Sequence, residues 1–263
     1  MRRVLLVNAL IFAVLAAVVV FAYFGWSNSS AVALHNDQIR LLTDLAQEKI
    51  LNIESVVVGA DTRVLKGIRL DQLDRLEEEV KSTGAAVASA FVLDDQLKPV
   101  LGGSLSGSRE PKDAVVMRDW YLAHVIGTLK LPQLPLDTRG HHYGRGPYNE
   151  PYLLSYQHKE LDGHSYYVVI EDDLNHLVMV MFPQFFFSER SSYMYQVVDE
   201  QKTWRFGVPF QDDTNEVKVF FSDLLLDGWS LRITEREPTA ELELRHRHFV
   251  DSALLGGAVA IIL

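Results

Sequence analysis

The chain has 263 residues, 48% of them hydrophobic and 23% charged, which is the balance of a folded protein and leaves little room for extended disorder. Its net charge of −10 argues against a nucleic-acid partner, because phosphates call for a basic surface. With no cysteine, the sequence excludes disulfides, thiolate metal sites and cysteine nucleophiles.

Val4 to Trp26 is an uncharged run of 23 residues. About 20 apolar residues span the hydrocarbon core of a bilayer as a helix. Arg2 and Arg3 precede the run, and Asp37, Asp44 and Glu48 follow it. The positive-inside rule therefore places the N-terminus in the cytoplasm and the chain beyond residue 26 outside the inner membrane, with Tyr23 and Trp26 at the outer headgroups. The run exceeds the roughly 7–15 residues of a signal-peptide core, although the SSAVA that follows resembles a cleavage site. Residues 1–26 are read as a retained span.

Ser27 to Gly59 predicts a helix. Ile39, Leu42, Ala46, Ile50, Ile53 and Val57 recur at steps of three and four, while Arg40, Asp44, Gln47, Glu48 and Glu54 take the other face. Such a stripe packs on a domain or on a second copy of itself, which predicts a homodimer. Gly59 and the following ADTR segment are expected to end the helix. A second helix is expected near Asp71, with Leu73, Leu76, Val80, Gly84 and Val87 on its apolar face and Glu77, Glu78 and Glu79 in solvent. Residues 27–87 thus form a stalk and a second helix.

The period then changes. Ala90 to Leu93 and Leu97 to Leu101 read as strands about the turn Asp94-Asp95-Gln96, followed by the loop Gly102 to Pro111 and a partly helical stretch from Ala114 to Leu131. Leu131 to Pro151, rich in proline and glycine, is expected to be irregular. Tyr152 to Leu161 and His164 to Glu171 flank Asp162-Gly163, a strong hairpin signal. Asp172-Asp173 should cap a short helix, Leu174 to Phe182, ending near Pro183. Tyr193–Val198, Trp204–Pro209, Val217–Phe221 and Trp229–Thr234 predict further antiparallel strands, and Glu235 to Arg247 a helix. Phe249 to Leu263 reads as the start of a second span, with a shallow anchor or a buried core helix as alternatives. The cluster Phe182 to Phe187 is expected to close the core under the second sheet. The class is α+β: two antiparallel-sheet modules, 88–182 far from the membrane and 183–236 near it, then a connecting helix and second span over 237–263.

This order of elements resembles the Cache family of PAS-like extracytoplasmic sensors, in its double form, from bacterial sensor histidine kinases and chemoreceptors. Arg118-Asp119-Trp120-Tyr121-Leu122-Ala123 is similar to that family's R-x-W-Y-x-x-A element, in which the arginine and aromatics hold the carboxylate end of a small ligand. Tyr148-Asn149-Glu150-Pro151 resembles the Y-x-D before a strand, and Val168 to Leu174 resembles the closing strand of the distal module. Glu150 and Glu171 stand where the family has Asp, or Asp172 fills the second role one residue on. The resemblance implies a ligand site at Arg118, Trp120, Tyr121, Tyr148, Glu150, Glu171 and Asp172. The ligand would be an amino acid, amine or carboxylate. The chemistry agrees: a guanidinium forks onto a carboxylate, aromatics wall the pocket and carboxylates balance an ammonium. The competing reading makes Trp120 and Tyr121 core aromatics and Arg118 a surface ion pair.

His141-His142 with His158 and His164 could ligate a metal or titrate near neutral pH, but their spacing fits no metal motif. No nucleophile elbow, zinc-protease helix, phosphate loop or dinucleotide fingerprint occurs, so neither catalysis nor a cofactor is expected in these residues. The sequence thus points to a ligand-sensing region in the membrane. A membrane-anchored adaptor that binds another protein is the alternative.

Overall fold

The structure is a computed structural model that describes residues 2–76, 78, 80, 87–100, 105–106, 108–186, 192–207, 216–236 and 250. The expected helix over 235–247 and second span over 249–263 fall almost wholly outside the described residues.

One helix, α1 (Arg2–Gly67), runs unbroken for 66 residues. Val14, Val18, Val19, Phe21, Phe24 and Trp26 are all exposed on it, an apolar surface that nothing among the described residues covers. The side chains of residues 2–13, the first part of the apolar run, lie outside the described residues. Among the described residues no helix is long and apolar enough to cross a membrane. Further along, the expected stripe is present: Leu42, Ala46, Ile50, Ile53 and Val57 are buried.

The helix does not stop at Gly59. That glycine sits on the exposed face, and a glycine in a helix costs only about 1 kcal/mol. The apolar stripe resumes at Val64, Leu65 and Ile68, and packing of such a stripe outweighs the local penalty. After Gly67 the chain forms a 3-10 turn, Leu70–Arg75, where a longer helix from Asp71 was expected. Asp71 caps nothing there and pairs with Arg69. Leu76 and Val80 are buried as expected, whereas Val87 opens a strand.

The first sheet has the order β2-β1-β5-β4-β3, all antiparallel. It comprises β1 (Val87–Leu93), β2 (Leu105–Ser106), β3 (Arg139–Arg145), β4 (Pro151–Leu161) and β5 (His164–Asp172). Asp162 and Gly163 make the β4–β5 turn with φ of 52° and 79°, the left-handed pair that matches strand twist. One face packs on α1 through Ala90, Val92, Val168 and Ile170. The other is covered by α2 (Pro111–His124) and the following loop.

The proline and glycine content of residues 131–151 predicts irregular chain where β3 stands. It is an edge strand whose glycines have a specific use. A Cβ on Gly140 would lie 2.5 Å from the ring of Tyr156, and one on Gly144 would lie 2.5 Å from the Tyr152 hydroxyl. The two tyrosines of β4 lie flat over their neighbour, and only glycine admits them.

Leaving β5, α3 (Leu174–His176) is capped by Asp173, whose carboxylate accepts the His176 N–H at 3.0 Å. It continues through a π-helical stretch (Leu177–Met181) into α4 (Phe182–Phe186), past Pro183, where an end was expected. A widened turn directly before a proline relieves the clash of its ring with the carbonyl four residues back.

The second sheet, of order β7-β6-β9-β8, comprises β6 (Tyr193–Val198), β7 (Trp204–Gly207), β8 (Val217–Phe220) and β9 (Ser230–Glu235). Phe182 and Phe186 are buried against Tyr195, Phe206 and Phe221, so the phenylalanine cluster closes this core as expected. Residues 42–57 of α1 form the other wall. One helix therefore backs both sheets.

Candidate functional site

The strand β5 ends in Glu171-Asp172, just before the cap residue Asp173, and strand alternation sends the two to opposite faces. Glu171 follows Tyr167 and Val169 onto the α2 face and is 2% exposed. Arg109 grips it with two hydrogen bonds, Nε to Oε2 at 3.2 Å and Nη2 to Oε1. The Tyr121 hydroxyl donates to Oε1 and the Ser89 hydroxyl to Oε2, both at 2.8 Å. A buried carboxylate with four donors is satisfied, as it must be in such surroundings.

Arg109 is held in place by its backbone, since its N–H donates to Ala88 at 3.1 Å and that of Ser108 donates to Val87 at 2.9 Å. Burial works to lower its pKa, but the bonds and charge of Glu171 outweigh this and raise it. Burial, then the Glu171 charge, pushes the Tyr121 phenol far up, so it is a donor at every ordinary pH. Burial alone pushes Tyr152 up to about 12.

Asp172 follows Val168 and Ile170 onto the α1 face. There it lies beside Asp61 of α1, with Ser155 Oγ 2.9 Å from an oxygen of each. His141 Nε2 is 3.1 Å from Asp61 Oδ2. Burial, followed by the charge of Asp61, holds the Asp172 carboxyl well above its ordinary value of 3.8.

Between the ends of the two sheets lies a cavity of about 570 Å³, the size of small-molecule sites. From the side of the first sheet come Ala88 of β1, Glu171 of β5, Asp113 of α2 and, outside the strands, Arg109, Glu110 and Glu150, and from the side of the second Trp204 and Arg205 of β7 and Trp229 just before β9. Leu174, Val178 and Met179 form an apolar side. Several of its charges are already matched. Arg109 neutralises Glu171, and Asp199 binds both Arg145 at 2.9 Å and Arg205 at 2.7 Å. Burial would raise the Asp199 pKa, but the Thr203 N–H and both arginines lower it. Glu110, Asp113 and Glu150 form no ion pair among the described residues. The lining therefore carries a net negative charge beside an indole, Trp204, that is 52% exposed.

Of the seven residues expected to bind ligand, Glu150, Glu171 and Asp172 line this cavity. Tyr121 supports Glu171 from beneath. Trp120 packs edge-on against Tyr121 and Tyr152, with ring centroids 5.6 and 5.8 Å apart, filling the space between α2 and the sheet. Arg118 pairs with its neighbour Asp119 at 2.8 Å and reaches neither Glu171 nor the cavity. Tyr148 is 98% exposed at the β3–β4 turn, with φ of 60°. A different guanidinium, that of Arg109, meets Glu171.

The four histidines do not converge. His141 meets Asp61, His158 bonds the Leu134 carbonyl and the Ser165 hydroxyl, and His164 is exposed. Sequence reasoning missed Arg109, Asp61 and Trp204. Asp61 had a signal, because it interrupts the apolar stripe one turn past Val57.

No family model matches the chain, and no curated protein does. Among solved structures, it is similar to an extracellular ligand binding receptor from Desulfohalobium retbaense, at 10% identity and a TM-score of 0.41, over 73% of this chain and 39% of that one. It is also similar to the ligand-binding domain of the Pseudomonas fluorescens chemoreceptor CtaA, solved with L-isoleucine, at 9% identity and a TM-score of 0.44, over 81% of this chain and 98% of that one. A third is the ligand binding domain of the Pseudomonas aeruginosa amino acid chemoreceptor PctB, solved with L-Arg, at 13% identity and a TM-score of 0.43, over 86% and 99%. The chain thus spans about two fifths of the first of these proteins and nearly all of the other two domains.

Proposed function

We propose that the chain is the extracytoplasmic ligand-sensing region of a transmembrane signalling receptor, of the sensor histidine kinase type. In this reading the cavity between the sheets binds a small amine-bearing molecule. The carboxylates of Glu110, Asp113 and Glu150 attract its ammonium, and Trp204 takes its apolar body. The single observation that carries the reading is that α1 is the common back wall of both sheets. A ligand drawn between the sheet ends changes how they pack on that helix, and the helix leads straight into the apolar run Val4–Trp26, where Val18, Phe21 and Trp26 are exposed. The ligand moves this equilibrium only as far as its affinities for the two packings differ.

Residues 88–182 would be the module far from the membrane and 183–236 the nearer one. Residues 4–26 and 249 onward would be the spans, and a second copy would pair along the stalk. Catalytic output would belong to another part of the receptor.

The test uses the full chain in lipid nanodiscs, with thermal unfolding followed against primary amines, amino acids and carboxylates that lack an amine. Amine-bearing molecules should raise the midpoint, and carboxylates alone should not. The shift should vanish in Asp113→Asn/Glu150→Gln. A response to no small molecule, together with tight capture of another protein, would favour the adaptor. Because the chain lacks cysteine, Glu160→Cys can be labelled with an impermeant maleimide in intact cells. Failure to label would place the sheets inside and end the receptor reading.

A further inference from the structure

We propose that Asp61 and Asp172 form a proton-operated latch between α1 and the first sheet, giving the chain a pH input separate from the cavity ligand. Asp61 is 4% exposed and stands within the apolar stripe of α1, between Val57 and Val64. Asp172 is the last residue of β5, on the sheet face that α1 covers. The Ser155 hydroxyl lies 2.9 Å from an oxygen of each carboxyl and, with one hydrogen, can serve only one of them at a time, so two buried carboxyls side by side favour holding a proton. A small cavity of about 30 Å³ lies beside the pair, walled by Val57, Leu153, Leu174 and Leu177. It offers room for water.

Among the described residues, a histidine is the basic group that meets the pair. From β3, His141 reaches Asp61 through Nε2, and Arg139 bonds the adjacent Thr62 hydroxyl. From β5, Glu171 points to the opposite face, tied to Arg109. Asp173 is occupied by Ser108 and by the His176 N–H. Among the described residues no Arg or Lys pairs with either carboxyl.

The sign follows from the raised Asp172 pKa, caused first by burial and then by Asp61. The folded chain keeps a proton that the unfolded chain gives up near 3.8. The pair's contribution is whole below that pH and is lost as pH rises through the raised value. Above it, two like charges face each other across the seam and push helix from sheet. Each unit by which the pKa is raised changes the folding equilibrium about tenfold.

The experiment uses the full chain in nanodiscs, with spin labels at Arg63→Cys on α1 and Glu160→Cys on β4, both exposed. Interlabel distance and unfolding midpoint are read from pH 5 to 9. The unsubstituted pair should show a distance that shifts and a midpoint that falls as pH rises. In Asp172→Asn, which bonds but cannot ionise, both should be flat. Should that variant not fold, Asp61→Asn makes the same demand. A constant distance in the unsubstituted pair overturns the latch, as does a pH response that survives the Asn variants. Either result would leave the amine titration of the cavity untouched.

Discussion

Replacing Arg109 by Met keeps most of the side-chain stem and removes the charge, leaving Glu171 buried with two hydroxyl donors and no cation. Breaking a buried pair from one side costs about 3–5 kcal/mol. The Arg109 side chain is 29% exposed and that of Glu171 3%. Solvent therefore screens one partner, and about 2–3 kcal/mol is expected. With a urea slope of about 2–3 kcal/mol/M, the midpoint should fall by about 1 M, read from tryptophan fluorescence on the full chain in mild detergent. Arg109→Met/Glu171→Gln should recover most of the loss, since the amide oxygen still accepts from one of the two hydroxyls, the NH2 can donate to the oxygen of the other, and no charge is left buried. A loss below about 1 kcal/mol, or no recovery in the double variant, would refute the view that this ion pair closes the end of the first sheet.

Tyr121→Phe removes one donor from the same carboxylate and should lower stability by about 1.5–3 kcal/mol, read as a shift of the urea midpoint. Gly144→Ala sets a methyl against the Tyr152 ring and should cost about 1–3 kcal/mol in thermal unfolding, with a smaller effect if Tyr152 is also made smaller. Arg118→Ala should change stability by no more than about 0.5 kcal/mol and leave amine binding intact, because its ion-pair partner among the described residues is the exposed Asp119. Trp204→Ala should keep the unfolding midpoint and weaken amine binding, measured by titration calorimetry.

What was legible in the sequence was local. The stripe from Ile39 to Val57, the Asp162-Gly163 turn and the phenylalanine cluster each carry their signal within a few residues, and each stands where it was expected. The strand β3 did not, because its glycines answer to tyrosines on another strand. The residues around the cavity were less legible for a related reason. Arg118 drew notice through its neighbours Trp120 and Tyr121, whereas the guanidinium that meets Glu171 comes from a glycine- and serine-rich loop 62 residues before it. A carboxylate at the end of the core strand YYVVIE demands a buried cation, and that demand was readable even though its source was not.

A single rod at the back of two sheets has a consequence for anyone who shortens the chain. Neither half owns a complete interior, so a cut between Phe186 and Ser192 would not yield two stable pieces. Each would present a greasy flank where the shared rod had been. Melting should accordingly be one event, with both halves lost at the same temperature.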